Sequence, residues 1–327
     1  MKILIIRFSS IGDIVLTSPV MRCLKKQSPG AVLHYLTKPA FASLVEANPY
    51  IDHVKLLDKD WKKMMQDLQS EQYDLIVDLH HNLRTWRIKR GLKKVKSVAF
   101  DKLNYQKWLM VRFKINHLPA VHIVDRYLQT VQYLGIRNDG QGLDFFIKDE
   151  DKMSIAGMLP ANFQNGYVGL VIGASYETKQ LPISKLAELC HTIRRPVVLL
   201  GGKEDMENGK TLSALAPDRV FNACGQFSLM ESAFLVSKAE RIISHDTGLM
   251  HIAAAFQKPI VSVWGNTVPE FGMYPYYGKR KNQNTSFEVK GLSCRPCSKI
   301  GYHRCPKKHF KCMQEQDVGS IVNEAHP

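Results

Sequence analysis

Short apolar runs alternate with longer amphipathic stretches along almost the whole of this chain. Residues 2–7, 32–36, 54–57 and 73–79 read as strands in the first half. Residues 167–172, 196–200, a run near Val220, 241–244 and 259–264 do so in the second. Between them, residues 14–26, 39–47, 61–70, 123–134, 183–193, 229–239 and 249–256, with a stretch from about Glu204, space their apolar side chains as helices do. Strands apolar at every position are buried on both faces, as in parallel sheets, and strand–helix alternation builds such sheets with helices on either side. The pattern predicts an α/β chain of two Rossmann-like domains, residues 1–150 and 151–327. The join lies within 138–165, where Asp, Gly, Lys and Asn accumulate.

At 327 residues the chain is long enough for two cores. No apolar run approaches the roughly 20 residues that cross a bilayer. The opening Lys2-Ile3-Leu4-Ile5-Ile6-Arg7 is too short for a secretory signal and reads as a strand. A cytoplasmic protein is therefore expected, with its seven cysteines as thiols or metal ligands rather than disulfides. Charge is unevenly placed. Residues 84–117 hold eleven Lys or Arg and one acid, and residues 279–312 hold ten and one, so the net charge of +15 comes from two patches. Such patches suit a polyanionic partner: nucleic acid, anionic lipid or a phosphorylated glycan.

Ligands of open α/β sheets bind beyond the carboxyl ends of the strands, and three loops there are chemically pointed. Arg7-Phe8-Ser9-Ser10-Ile11-Gly12-Asp13 follows the first strand with two hydroxyls, a permissive glycine and a carboxylate; the same residues also serve as ordinary helix caps. Gly173-Ala174-Ser175-Tyr176-Glu177-Thr178-Lys179 combines small residues with a lysine able to neutralise a phosphate or to sit solvated. His245-Asp246-Thr247-Gly248 breaks from strand into helix. Its free N–H groups, its hydroxyl and the positive end of the helix dipole make an anion site, with His251 one turn further on. A capped helix with a satisfied histidine is the plainer alternative.

Together these loops resemble glycosyltransferase family 9, the ADP-heptose:lipopolysaccharide heptosyltransferases and their relatives. The carrying residues are 2–13, Gly173-Ala174-Ser175 to Lys179, and Asp246-Thr247-Gly248-Leu249-Met250-His251-Ile252-Ala253-Ala254-Ala255. The resemblance implies the GT-B architecture, two Rossmann-like domains facing across a cleft. It further implies an inverting transfer that needs no metal for catalysis, with Asp13 as general base and Lys179 facing the donor diphosphate. Ser9, Ser10, Gly12, Ser175, Asp246, Thr247, Gly248 and His251 are implied at the donor. So are Glu204 or Asp205 at the ribose and Phe227 beside the base. ADP-heptose is the favoured donor. The acceptor the resemblance implies is a lipopolysaccharide inner core or related phosphorylated glycolipid. Arg84, Arg87, His122 and Arg126 are candidates to contact it, and the 84–117 patch, with Trp86 and Trp108, to sit at an anionic membrane face.

Cys294, Cys297, Cys305 and Cys312 form a compact cluster that could bind a structural zinc ion, remain free thiols or pair as disulfides. Two further readings stay open. A nucleic-acid-binding protein with a zinc tail would use the basic patches but leave the paired phosphate loops unexplained. A nucleotide-sugar epimerase or hydrolase would act on the donor alone.

Overall fold

The computed structural model describes residues 1–155 and 157–326. The chain divides into two units. The first comprises Met1–Lys102, Val121–Phe146 and Gly278–Arg280, and the rest forms the second. Each is an α/β unit around one parallel sheet, in the manner the alternation predicts. The chain positions at which they divide include two exchanged segments that a single boundary does not register.

In the first unit the strands are β1 (Lys2–Ile6), β2 (Val32–Thr37), β3 (His53–Leu56), β4 (Leu75–Asp78) and β5 (Lys96–Ala99). They lie in the order β3-β2-β1-β4-β5, all parallel. The helices to this point are α1 (Ile11–Val15), α2 (Ser18–Gln27), α3 (Ser43–Glu46), α4 (Trp61–Ser70) and α5 (Leu83–Gly91). Then come α6 (Asn104–Phe113), which counts with the second unit, and α7 (Ile123–Gln129). The single helix expected over 14–26 is two: Pro19 has no N–H to continue the ladder, and the chain restarts with that proline in the first turn of α2. Leu4, Ile6 and Ile76 of the sheet pack against Met64, Met65 and Leu68 of α4 and Ile88 of α5. Buried Arg22 of α2 ties down the returning segment through Asp139 at 2.7 Å, the Gly142 carbonyl at 2.8 Å, and Asp144.

The second unit holds β6 (Val168–Val171), β7 (Val197–Leu200), β8 (Val220–Asn222), β9 (Arg241–His245), β10 (Ile260–Trp264) and β11 (Asn284–Glu288). The order is β11-β10-β9-β6-β7-β8, again parallel throughout. Its helices are α8 (Asp149–Ile155), α9 (Ile183–Thr192), α10 (Met206–Ala214), α11 (Leu229–Lys238), α12 (Gly248–Ala255), α13 (Lys311–Gln314) and α14 (Val318–Ala325). Ile321 and Val322 of α14 return to the core formed by Leu170, Leu199, Ile243 and Val263.

Both strand orders reverse direction once, between β1 and β4 and between β6 and β9. At such a switch point the chain continues from two adjacent strands to helices on opposite faces of the sheet, and the loops between them border a crevice. The Arg7–Asp13 segment follows β1, the 173–179 loop follows β6, and Asp246-Thr247-Gly248 follows β9. Topology thus puts each of the three pointed loops at a switch point.

Candidate functional site

In the second unit, β6 and β9 run side by side, with Leu170 opposite Ile243. The loops that continue them therefore meet, although they lie far apart in sequence. The Lys179 ammonium donates to the Asp246 carboxylate at 2.6 Å, and the two side chains are only 15% and 13% exposed. Thr267, just after β10, donates its hydroxyl to the same carboxylate oxygen at 2.9 Å. The Thr247 and Ser244 hydroxyls lie 3.2 Å apart. Thr247 is the extended N-cap residue of α12, and its side chain does not cap the helix. The first N–H groups of α12 and its dipole are thus left for an anion beside a lysine. Ser175 is exposed at the start of this loop, whereas His251 is buried within α12.

The lysine loop is held at both ends. Gln180 donates to the Ala174 carbonyl at 2.7 Å, closing the loop on itself. His245 Nε2 accepts the Leu181 N–H at 2.9 Å, fixing the end of β9 to the loop after β6. Burial pushes His245 down to about 4, so the ring is neutral near pH 7 and can accept that bond. Thr178 is buried and exchanges hydrogen bonds with Tyr302, the Tyr302 N–H donating to its hydroxyl at 2.8 Å. Arg295 donates to the carbonyl of Thr267 at 3.1 Å and to Glu288 at 3.0 Å. The cysteine-rich segment thereby buttresses the loops that carry Lys179 and Thr267.

Along the sheet, Glu204 and Asp205 separate in role. Asp205 is buried and accepts the Gly202 N–H at 2.8 Å, while Glu204 remains exposed. Phe227 is half-buried just before the Ser228 cap of α11.

In the first unit, Asp13 lies in the first turn of α1 beside Ser10, whose hydroxyl donates to Asp13 Oδ2 at 2.7 Å. Arg7 forms an ion pair with the other carboxylate oxygen at 2.6 Å. The Arg7 guanidinium also donates to the Ser9 carbonyl at 2.8 Å and the Tyr127 hydroxyl at 3.0 Å, and it is itself buried. Ser9 is partly exposed and Gly12 buried. His80, after β4, packs on Phe8 with ring centroids 4.8 Å apart; burial, then Arg7 and Lys102, push it down to about 4. Asp78 is buried, pairs with Lys89 at 2.8 Å and accepts the N–H groups of His80 and His81.

The four acceptor candidates fall in different settings. Arg84 is exposed with its guanidinium 5.9 Å from the Phe8 ring centre, close to the β1 loop. Arg87 lies over Trp61 at 4.5 Å. His122 is buried and caps α7, its Nδ1 accepting the Val124 N–H at 3.2 Å. Arg126 is buried and donates to the Asp101 carbonyl at 3.3 Å.

Sequence reasoning missed Arg7, Thr267 and His245. Arg7 carried a signal, a charge closing an otherwise buried run; Thr267 and His245 carried none without the strand order. Cys294, Cys297, Cys305 and Cys312 are free thiols. Cys294 lies 3.8 Å from His309 Nε2, and burial with the neighbouring Cys294 pushes Cys297 up to about 11. Among the described residues no three His, Cys, Asp or Glu side chains are arranged to hold a metal ion, so the zinc expectation finds no formed site. Among those residues, too, no helix is long and apolar enough to cross a membrane.

Comparison with known proteins bears on the family and the fold. Residues 61–303 match the family model described as glycosyltransferase family 9 (heptosyltransferase). Lipopolysaccharide heptosyltransferase 1 of Campylobacter coli is 26% identical over 291 residues, covering 82% of this chain and 84% of that one. Lipopolysaccharide heptosyltransferase 2 of Salmonella typhimurium is 23% identical over 303 residues, covering 83% and 84%. Among solved structures, a family 9 glycosyl transferase from Veillonella parvula superposes with a TM-score of 0.78 at 19% identity, covering 99% of this chain and 96% of that one. The E. coli heptosyltransferase WaaC with ADP does so at 0.70 and 20%, covering 99% and 100%.

Proposed function

The chain belongs to glycosyltransferase family 9 and has the GT-B fold, and on that premise we propose that it is an inverting heptosyltransferase of lipopolysaccharide assembly. It takes heptose from ADP-heptose and passes it to a phosphorylated inner-core glycolipid. The observation that carries this reading is the Lys179–Asp246 pair at 2.6 Å, set beside the uncapped N-terminus of α12 at the β6/β9 switch point.

Transfer of this kind breaks the bond between the anomeric carbon and the diphosphate, and negative charge grows on the departing phosphate oxygen. Lys179 and the first N–H groups of α12 meet that charge, and such fixed donors matter most in the transition state. Thr247 and Gly248 bring the backbone against the diphosphate, and Ser175 adds a hydroxyl. Asp246 orients Lys179 and faces the transferred sugar, with His251 stiffening the helix behind. Glu204, whose carboxylate is not consumed as that of Asp205 is, takes the ribose, and Phe227 lies against the adenine. With the lysine and the amides supplying the positive charge, catalysis requires no divalent metal.

Asp13 takes the proton from the acceptor hydroxyl as its oxygen attacks the anomeric carbon opposite the leaving group. A single displacement inverts the configuration. Ser10 and Arg7 hold the carboxylate in one orientation; Ser9 and Gly12 shape the loop around it. Arg84, exposed beside Phe8, is the acceptor candidate best placed for a phosphate, with Arg87 further along α5; His122 and Arg126 act behind them as props. The glycolipid acceptor sets the place of work at the inner face of the cytoplasmic membrane.

The test is a thermal-shift panel of nucleotide sugars. A donor at 100 times its Kd adds about 2.7 kcal/mol of stability. ADP-heptose and ADP are expected to raise Tm, with uridine and guanosine sugars giving little. A gain with a uridine sugar and none with ADP-heptose would assign another donor. Conversion of the donor sugar with no acceptor present would favour the epimerase or hydrolase reading.

A further inference from the structure

Helix α6 packs on the second unit through a narrow apolar stripe. Met110 is buried against Val268 and Phe271, with Val111 and Leu118 alongside. The opposite side carries an unusual amount of exposed apolar surface: Tyr105 is 67% exposed, Trp108 50%, Phe113 54% and Ile115 47%. These rings touch one another. Tyr105 stacks on Trp108 with centroids 6.1 Å apart, and Trp108 meets Phe113 edge-on at 5.3 Å. They form one aromatic strip rather than scattered side chains, and a contiguous exposed strip marks a surface that works against something.

The strip is bordered by cations drawn from both basic segments of the sequence. Arg112 lies 5.9 Å from the Phe113 ring centre. Lys114 donates to the Pro296 carbonyl at 2.7 Å, which brings the second basic run against the end of α6. Lys299 donates to Asn104 Oδ1 at 3.3 Å at the other end, and its neighbour Ile300 is 58% exposed. Residues 102–118 and 289–314 contain no acidic side chain. Two patches that looked separate along the chain therefore frame one aromatic face within the second unit.

We propose that this face, the outer side of α6 with Lys299 and Ile300, is the surface on which the chain rests against an anionic lipid bilayer. Tryptophan and tyrosine favour the headgroup level, where an apolar ring and a polar edge are both satisfied, and lysine and arginine reach from there to anionic headgroups. A single-stranded nucleic acid would match the cations, but not the aliphatic tips of Ile115 and Ile300. The proposal rests on the glycosyltransferase reading, because a glycolipid acceptor is held in a bilayer.

The test is co-sedimentation of the intact chain with vesicles of phosphatidylglycerol and phosphatidylethanolamine, and with vesicles of phosphatidylcholine alone. Binding is expected on the first and not the second, with a blue shift of Trp108 emission. The Trp108→Phe variant should still bind while losing that shift. Tyr105→Ser with Trp108→Ser should lower the partition about tenfold. Arg112→Gln with Lys299→Gln should lower it roughly 25-fold, at about fivefold per charge. All variants should keep the Tm gain on adding ADP, which shows that they are folded. Equal binding to phosphatidylcholine, unchanged partition in both double variants, or tighter binding to a single-stranded oligonucleotide than to the anionic vesicles would overturn the proposal. Loss of the ADP response in the unsubstituted chain would instead overturn the donor assignment and leave the vesicle result standing.

Discussion

Replacing Lys179 with methionine separates the structural part of the Lys179–Asp246 pair from its catalytic part. The two groups are 2.6 Å apart with side chains 15% and 13% exposed, so removing the cation strands a mostly buried carboxylate. Its remaining side-chain partner is the Thr267 hydroxyl at 2.9 Å. Breaking a fully buried pair costs about 3–5 kcal/mol; with some solvent access retained, about 2 kcal/mol is expected here. For a unit of this size that lowers Tm by roughly 4–8 °C. Asp246→Asn added to Lys179→Met removes the stranded charge and should return most of that loss. Turnover should behave differently, because the lysine also meets the leaving diphosphate. Loss of one preorganised donor costs about 10²–10³ in kcat, and the double variant should stay as slow as the single. The assay is a pair of measurements on each variant, a thermal melt and initial rates with donor and acceptor. Recovery of turnover along with Tm in the double variant would refute the reasoning, since Lys179 would then act only by holding Asp246.

Three further outcomes follow from the same geometry. Asp13→Asn should cut kcat by about 10²–10⁴ while leaving the Tm gain on ADP intact, and unchanged turnover would remove Asp13 as the base. Arg7→Met takes away the cation 2.6 Å from Asp13, so the acidic limb of the kcat/KM profile should move to higher pH; an unmoved limb would show that Arg7 does not tune the carboxylate. His245 and His80 are pushed down to about 4, mainly by burial, so between pH 6.5 and 4 the unfolded chain binds more protons than the folded one. Stability is therefore full above pH 6.5 and lost as pH falls through that window, on the order of 3 kcal/mol for His245. His245→Gln, which keeps an acceptor for the Leu181 N–H, should flatten the decline, and a melt series of unchanged slope would contradict this.

The strands read most plainly in the sequence are the ones buried on both faces, although the outer strands β3 and β8 are also read, from the short apolar runs at Val54 and Val220. Ile3–Ile6 and Val197–Leu200 are apolar without a break because helices cover both sides of the sheet. The edge strands β5 and β11 escaped notice because they are exposed or only half-buried, and Lys96-Ser97 or Asn284-Thr285 carry no apolar run. Residues 104–113 read as part of a basic patch with Trp108 at a membrane face, but not as a helix, since α6 buries Met110 and otherwise presents mixed side chains. The site divides in the same way. Asp13, Lys179 and Asp246 stand in motifs that point to their chemistry. The pairing of Lys179 with Asp246 comes from the strand order that sets β6 beside β9, and local sequence does not encode that order. Thr267 and His245 were hidden for this reason: a threonine after a strand and a histidine ending one are unremarkable until the loops converge.

A crystal structure of the chain with ADP bound tests the central claim most directly. The account predicts the diphosphate within hydrogen-bond distance of Lys179 Nζ and the first amides of α12, at the carboxyl ends of β6 and β9. A diphosphate seated instead on the Arg7–Asp13 loop of the first unit, with Lys179 still bound only to Asp246, would contradict it.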